Sequence, residues 1–217
     1  MRDTPAMWIF DYLHFTFALL AISTPQSAIP VFMALTKGLG RKEKNNVAKA
    51  TMLTVFCVLS ISSICGSQIL KIFGISLDSF RFIGGIMLLS LAMSMLHAQE
   101  KRHTEDEAEE ASEKTTMGIV PLGMPILAGP GSISAVIIAA QTTPTVSYLL
   151  IIISSIATVA SICGMCLIFS DKLGAILGQT GLNIMTRVFG MLVGALAIEF
   201  MYTSLAHMFP AWTAVAG

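Results

Sequence analysis

Two short stretches carry the residue types and spacing from which a binding site could be made. The first is "STPQSAIP", residues 23–30, in the middle of an apolar run over 8–36. The second is "AGPGSI", residues 128–133, in an apolar run over 117–141 that also holds Pro121, Pro125 and Gly123. A proline inside a helix removes a backbone hydrogen bond and clashes with the preceding turn. In hydrocarbon the freed carbonyls are costlier still unless protein or a wet cavity satisfies them. Proline at the first position of a new helix costs little, because its missing N–H would have had no partner there. Both stretches therefore read as helix starts: Thr24 caps a half-helix opened by Pro25 and running to Thr36, and Gly129 precedes one opened by Pro130 and running to Gln141. Ser27 is an alternative cap for the first, with Pro30 still in the first turn. A helix start offers free N–H groups and about half a positive charge, a seat for a carboxylate. Ser23, Thr24, Ser27 and Ser132 add hydroxyls, and Ala128, Gly129 and Gly131 beside the prolines leave room for a small solute. The competing explanation is packing, since proline and glycine kinks are common in membrane helices.

The elements that must position these stretches are membrane spans. Hydrophobic residues make up 54% of the 217-residue chain and charged residues 12%; soluble domains carry about 25% charged residues. Apolar segments near the ~20 residues needed to span a bilayer run over 8–36, 47–70, 80–98, 117–141, 147–170 and 186–206. This predicts an all-α polytopic membrane protein of six spans in one membrane domain, with the first and fourth interrupted. The N-terminal run reads as the first span and not as a cleaved leader, since Asp11 and His14 interrupt it. Residues 99–116, with seven acids and three bases, cannot bury a core and read as a solvated linker between two three-span units, 7–98 and 117–206. Ten of the thirteen Lys and Arg residues fall at the loops on the linker side, 37–46, 99–116 and 171–185, and their edges. That bias predicts a cytoplasmic linker and both termini outside.

The two units match weakly but in register. Pro25 and Ser27 align with Pro130 and Ser132 at an offset of 105, and Arg81 and Gly84 with Arg187 and Gly190 at an offset of 106. An odd number of spans per unit inverts one unit relative to the other, the plan of many secondary transporters. Inversion brings the two half-helix N-termini together near the midplane.

Outside the breaks, Glu199 in "ALAIEFMY" is an intramembrane acid and so a candidate for ion coupling. Asp11 and His14, one helical step apart, are a second candidate or an interfacial pair. Arg81 and Arg187 read as depth-setting residues that snorkel or cap. Gly84, Gly85, Gly190 and Gly194 suit close helix contacts. The "CGMC" of 163–166 has metal or redox spacing, but all four cysteines lie in apolar runs and read as packing. With no phosphate loop, nucleophile elbow or His-rich metal helix, the chain reads as neither an enzyme nor a cofactor or metal protein. Zero net charge argues against nucleic acid as a partner. The expected partners are the bilayer and a small solute; oligomeric state stays open, a homo-oligomer included.

The stretches "IPVFMALT" (29–36), "FGISLDSFRFIGGIMLL" (73–89), "VPLGMPILAGPGSIS" (120–134) and "GQTGLNIMTRVFGMLVGALAIEF" (178–200) resemble the MarC family of bacterial inner-membrane proteins. Some members of that family are assigned as transporters of small neutral amino acids. The resemblance implies an inner-membrane location, six spans, an inverted repeat and interrupted first and fourth spans. It also marks a departure. The family's first break carries an Asn-Pro pair with Gly two positions after the Pro, where this chain has Thr24-Pro25 and Ser27. The function expected is a secondary transporter, an exporter or exchanger working by alternating access. The alternatives are a passive channel and a non-transporting membrane protein with a structural or regulatory role.

Overall fold

In the computed structural model, residues 5–36, 38–97, 127–142 and 145–210 are described. The acidic linker and the first half of the fourth expected span lie outside them. Seven helices are present among the described residues: α1 (Pro5–Ser23), α2 (Pro25–Leu35), α3 (Arg41–Ile72), α4 (Leu77–Leu96), α5 (Pro130–Thr142), α6 (Val146–Ile168) and α7 (Ser170–Met208). Among those residues five stretches are long and apolar enough to cross a membrane: Trp8–Met33, Arg41–Ile72, Leu77–Leu96, Val146–Ile168 and Thr180–Met208. The first of these contains the α1–α2 break, and α5 falls in the fourth expected span.

Local chemistry sets the helix ends. α3 begins after Gly40, whose N–H donates to Glu43 Oε2 at 3.0 Å. It ends in a Schellman motif: Gly74 sits at φ 65, its N–H donates to the Lys71 carbonyl, and the Ile75 N–H donates to the Leu70 carbonyl. Ser76 then caps α4, its Oγ accepting from the Ser79 N–H at 3.1 Å. The resulting α3–α4 hairpin has a turn of only four residues, 73–76. One expectation needs correcting. Residues 171–185, expected to form a loop, are helical, and α7 bends sharply within them at Gly178. Gly178 has φ 58 and ψ −178, a conformation essentially confined to glycine.

Large apolar side chains face outward along the long helices, among them Leu53, Ile61, Leu150, Met191 and Ile198. That suits a lipid surround, where the tails are as apolar as leucine and helices associate through close packing instead. Glycines supply the closeness. A Cβ at Gly85 would fall 2.6 Å from Met201 Cγ, and one at Gly190 would fall 2.9 Å from Met95 Cβ, so α4 and α7 meet almost backbone to side chain. A Cβ at Gly84 would fall 3.1 Å from Ser134 Cβ of α5, one at Gly164 of α6 2.9 Å from Met52 Sδ of α3, and one at Gly174 of α7 3.0 Å from Met33 Sδ of α2; Gly66 of α3 is closed off by Ile137 of α5. The close contacts expected of Gly84, Gly85 and Gly190 are therefore present.

Two buried apolar clusters result. One gathers Leu19, Phe32, Val55, Leu59, Val136, Ile152 and Ile156 from α1, α2, α3, α5 and α6. The other gathers Ala21, Ile22, Leu88, Ala92, Ala135, Val193 and Ala197 from α1, α4, α5 and α7. The last turn of α1 contributes to both, so the first break lies where they join.

Polar ties pin the rims. Tyr12 Oη and Thr158 Oγ1 lie 2.7 Å apart between α1 and α6. Lys44 Nζ pairs with Asp171 Oδ2 at 3.1 Å, joining the starts of α3 and α7. At the start of α4, Asp78 receives a hydrogen bond at its carbonyl from Ser204 Oγ (2.6 Å), and its carboxylate faces His207 Nδ1 (3.2 Å) and Arg81 Nη1 (3.8 Å). Arg81 is buried at this corner, whereas its repeat counterpart Arg187 is exposed.

Candidate functional site

Both helix starts fall at the prolines. α1 stops at Ser23, and Thr24 turns the chain with φ 42, a left-handed conformation unfavourable for a β-branched residue. Pro25 opens α2, and the Ser27 N–H donates to the Thr24 carbonyl at 3.0 Å. Thr24 therefore closes the first turn through its backbone carbonyl; none of the described hydrogen bonds uses its hydroxyl as the expected cap. At the second break, Pro130 opens α5 and the Ile133 N–H donates to the Gly129 carbonyl at 3.0 Å.

The two breaks meet. Ser23 Oγ and Ser132 Oγ lie 3.5 Å apart, both fully buried, although 109 positions separate them in sequence. This is the long limit of a hydrogen bond, and Ser132 also donates to the Leu127 carbonyl at 3.3 Å. Ser23, Thr24, Pro25, Ala128, Gly131 and Ser132 are buried, while Ser27 and Gly129 are partly exposed. Gly131 has a packing role: a Cβ there would fall 2.6 Å from Leu88 Cδ2 and 3.4 Å from Ile22 Cγ2. The starts of α2 and α5 are thus neighbours through Ser23, which ends α1, and Ser132. Each start presents free N–H groups, and the last carbonyls of α1 end at the same break.

A cavity of about 350 Å³ adjoins the second break, lined by Gly129, Pro130, Gly131 and Ser132 together with Ile22 and, from α4, Ser90 and Ser94. That is near the lower end of small-molecule pockets, about 300–1,000 Å³. Ser90 and Ser94 stand one turn apart on one face of α4 and bring two hydroxyls to the cavity. Their i, i+4 spacing was visible in "MLLSLAMSML" (87–96). Nothing in the sequence paired that face with Pro130, because the pairing is made by tertiary packing.

The remaining candidates lie elsewhere. Glu199 is exposed on α7. His14 is exposed and stacks on Phe10, with ring centroids 6.4 Å apart, and Asp11 is partly buried on the same helix. No ion pair joins Asp11 to His14 among the described residues. Among those residues no group of three or more His, Cys, Asp or Glu side chains is placed to hold a metal ion.

A profile of the MarC family, described as integral membrane proteins, matches residues 9–209. The chain belongs to the MarC family. Among MarC relatives, it is 37% identical to the UPF0056 membrane protein YhcE of Escherichia coli (strain K12), over 92% of this chain and 94% of that protein. It is 38% identical to a UPF0056 membrane protein of Buchnera aphidicola subsp. Acyrthosiphon pisum, over 93% and 96%. An archaeal relative, a UPF0056 membrane protein of Methanocaldococcus jannaschii, is 33% identical over 87% and 92%. No solved structure matches the chain. Membership in this family makes the protein an integral, multi-pass membrane protein, in keeping with the five apolar spans.

Proposed function

We propose that this MarC protein is a secondary transporter of small, net-neutral amino acids or similar solutes, an exporter or exchanger in the bacterial inner membrane. The observation that carries the reading is the Ser23–Ser132 contact, which sets the residue before the first proline-opened start beside the second start. The solute's carboxylate rests on these N-termini, and the adjoining cavity, with Ser90 and Ser94, takes the rest of a small molecule. The pairing of elements supports a pair of inverted three-span units. α4 packs on α5 as α7 packs on α2, and α3 packs on α5 as α6 packs on α1 and α2. On this plan the linker 99–116 is cytoplasmic, both termini are outside, and one unit rocks against the other around the breaks.

Counterflow in proteoliposomes tests the reading. Vesicles loaded with unlabelled alanine are expected to accumulate labelled alanine transiently and saturably. Flux that never saturates indicates a channel instead. Neither flux nor binding across glycine, alanine and serine leaves the breaks as packing features and ends the proposal.

A further inference from the structure

Gln26 stands in the first turn of α2, within one turn of Ser23, and is 4% exposed. Neither its Nε2 nor its Oε1 has a hydrogen-bond partner. The hydroxyls of Thr16, Ser60 and Ser155 are also buried without partners, but each lies well inside a helix. A rotation can turn such a hydroxyl onto a carbonyl of the preceding turn. Gln26 has no preceding helical turn to use, and a primary amide carries two donors and an acceptor that all need partners. A hydrocarbon side chain would fill the same space without that penalty. The repeat-matched position in the second break is Gly131, so the amide is no requirement of the break's backbone.

The charges nearby set the ligand class. Arg81 is the only buried charged side chain among the described residues; it pairs with Asp78 and lies about 13 Å along α4 from Ser90. No buried carboxylate among those residues is therefore available to meet a solute's ammonium group. The starts of α2 and α5 provide for the anion, and uncharged acceptors are left for the cation: the last carbonyls of α1, which ends at Ser23, and the side chains of the break.

We propose that Gln26 is the specificity-determining residue of the site between the breaks. Its Oε1 accepts from the ammonium of a zwitterionic α-amino acid, and its Nε2 donates to the carboxylate. An α-amino acid presents both groups along one edge, which a primary amide matches with its own adjacent donor and acceptor. The pair of dipoles stays net neutral, which favours solutes without net charge. This inference rests on the transport reading and adds to it the residue that reads the amino group.

The test compares alanine with lactate, which replaces the ammonium by a hydroxyl, in binding and counterflow by the full-length wild-type protein, Gln26→Leu and Gln26→Met. Wild type is expected to prefer alanine by about tenfold or more, since the lactate hydroxyl offers Oε1 one uncharged donor where the ammonium offers three charge-assisted ones. Both variants should lose about tenfold in alanine affinity and less in lactate affinity, which gives up only part of the contacts that Gln26 makes to alanine, so the preference narrows. Their ligand-free unfolding temperatures should equal or exceed that of wild type, because an unsatisfied buried amide has been removed. An unchanged alanine preference in folded variants overturns the role of Gln26 while leaving transport standing. Lower ligand-free stability in both variants shows that the amide is already satisfied at rest, and also overturns it. Absence of saturable alanine exchange by wild type overturns the transport reading itself, and this inference with it.

Discussion

The two breaks share a proline and a serine at matched positions, yet they are built in opposite ways. In the first, Thr24 is held at φ 42 and Gln26 is buried with its amide unpaired, so polar groups and backbone strain are concentrated there. In the second, glycines flank Pro130, the chain turns without a left-handed non-glycine residue, and a cavity opens beside it. The matched pair Gln26 and Gly131 sets a long polar side chain against the smallest residue. On the transport reading proposed above, the difference is a division of labour: one break carries the groups that would read a solute, and the other the space that would admit it.

Crowding the second break should have the largest effect. Gly131→Leu drives side-chain atoms into Leu88 and Ile22; overpacking of this kind costs about 1–3 kcal/mol. Loss of alanine counterflow is expected together with a lower unfolding temperature in detergent. Unchanged transport would mean that the second break is not the spacious one. Next in size is the Gln26→Leu loss described above, which tests the reading half of the division.

Thr24→Asn should act in the other direction. Asparagine tolerates the left-handed region better than a β-branched residue, and relief of part of a ~1–2 kcal/mol strain should raise the unfolding temperature. Gly129→Asn, its repeat counterpart, should give no such gain. Equal responses at the two positions would erase the contrast in strain.

A double-mutant cycle on Ser23→Ala and Ser132→Ala probes the contact between the breaks. At 3.5 Å the coupling in thermal unfolding should be small, about 0.5 kcal/mol. Coupling in alanine binding should be larger if both hydroxyls face one solute. The smallest effect is expected of Glu199→Gln. Its side chain is exposed on α7, away from both breaks, and counterflow at neutral pH should stay within about twofold of wild type, since surface changes of this kind are usually near neutral. A large loss would move ion coupling onto that outer face.

What the sequence made legible was local. Pro25 and Pro130 marked the two helix starts to the residue, because proline at a first helical position leaves a signature independent of context. The apolar runs located the spans for the same reason. The strain at Thr24 had no signature, since threonine is an ordinary capping residue and its left-handed backbone belongs to the turn from α1 into α2. Ser90 and Ser94 waited on the docking of α4 beside α5. The paired arginines show the limit of repeat logic. Arg81 is buried beside Asp78, while Arg187, its match, is exposed. Residues 171–185 read as a loop because they fall between two apolar runs and carry Lys172, but a single glycine conformation, at Gly178, lets the helix resume on a new axis.

The glycine contacts have a mechanical consequence. Gly85, Gly164, Gly174 and Gly190 each face a methionine, Met201, Met52, Met33 and Met95 respectively, while Gly66 faces the β-branched Ile137. A thioether chain re-forms its surface by small torsional changes, whereas isoleucine is stiff. At the four glycine–methionine seams the side chain across the contact is thus a deformable gasket, whereas at the Gly66–Ile137 junction it is a rivet.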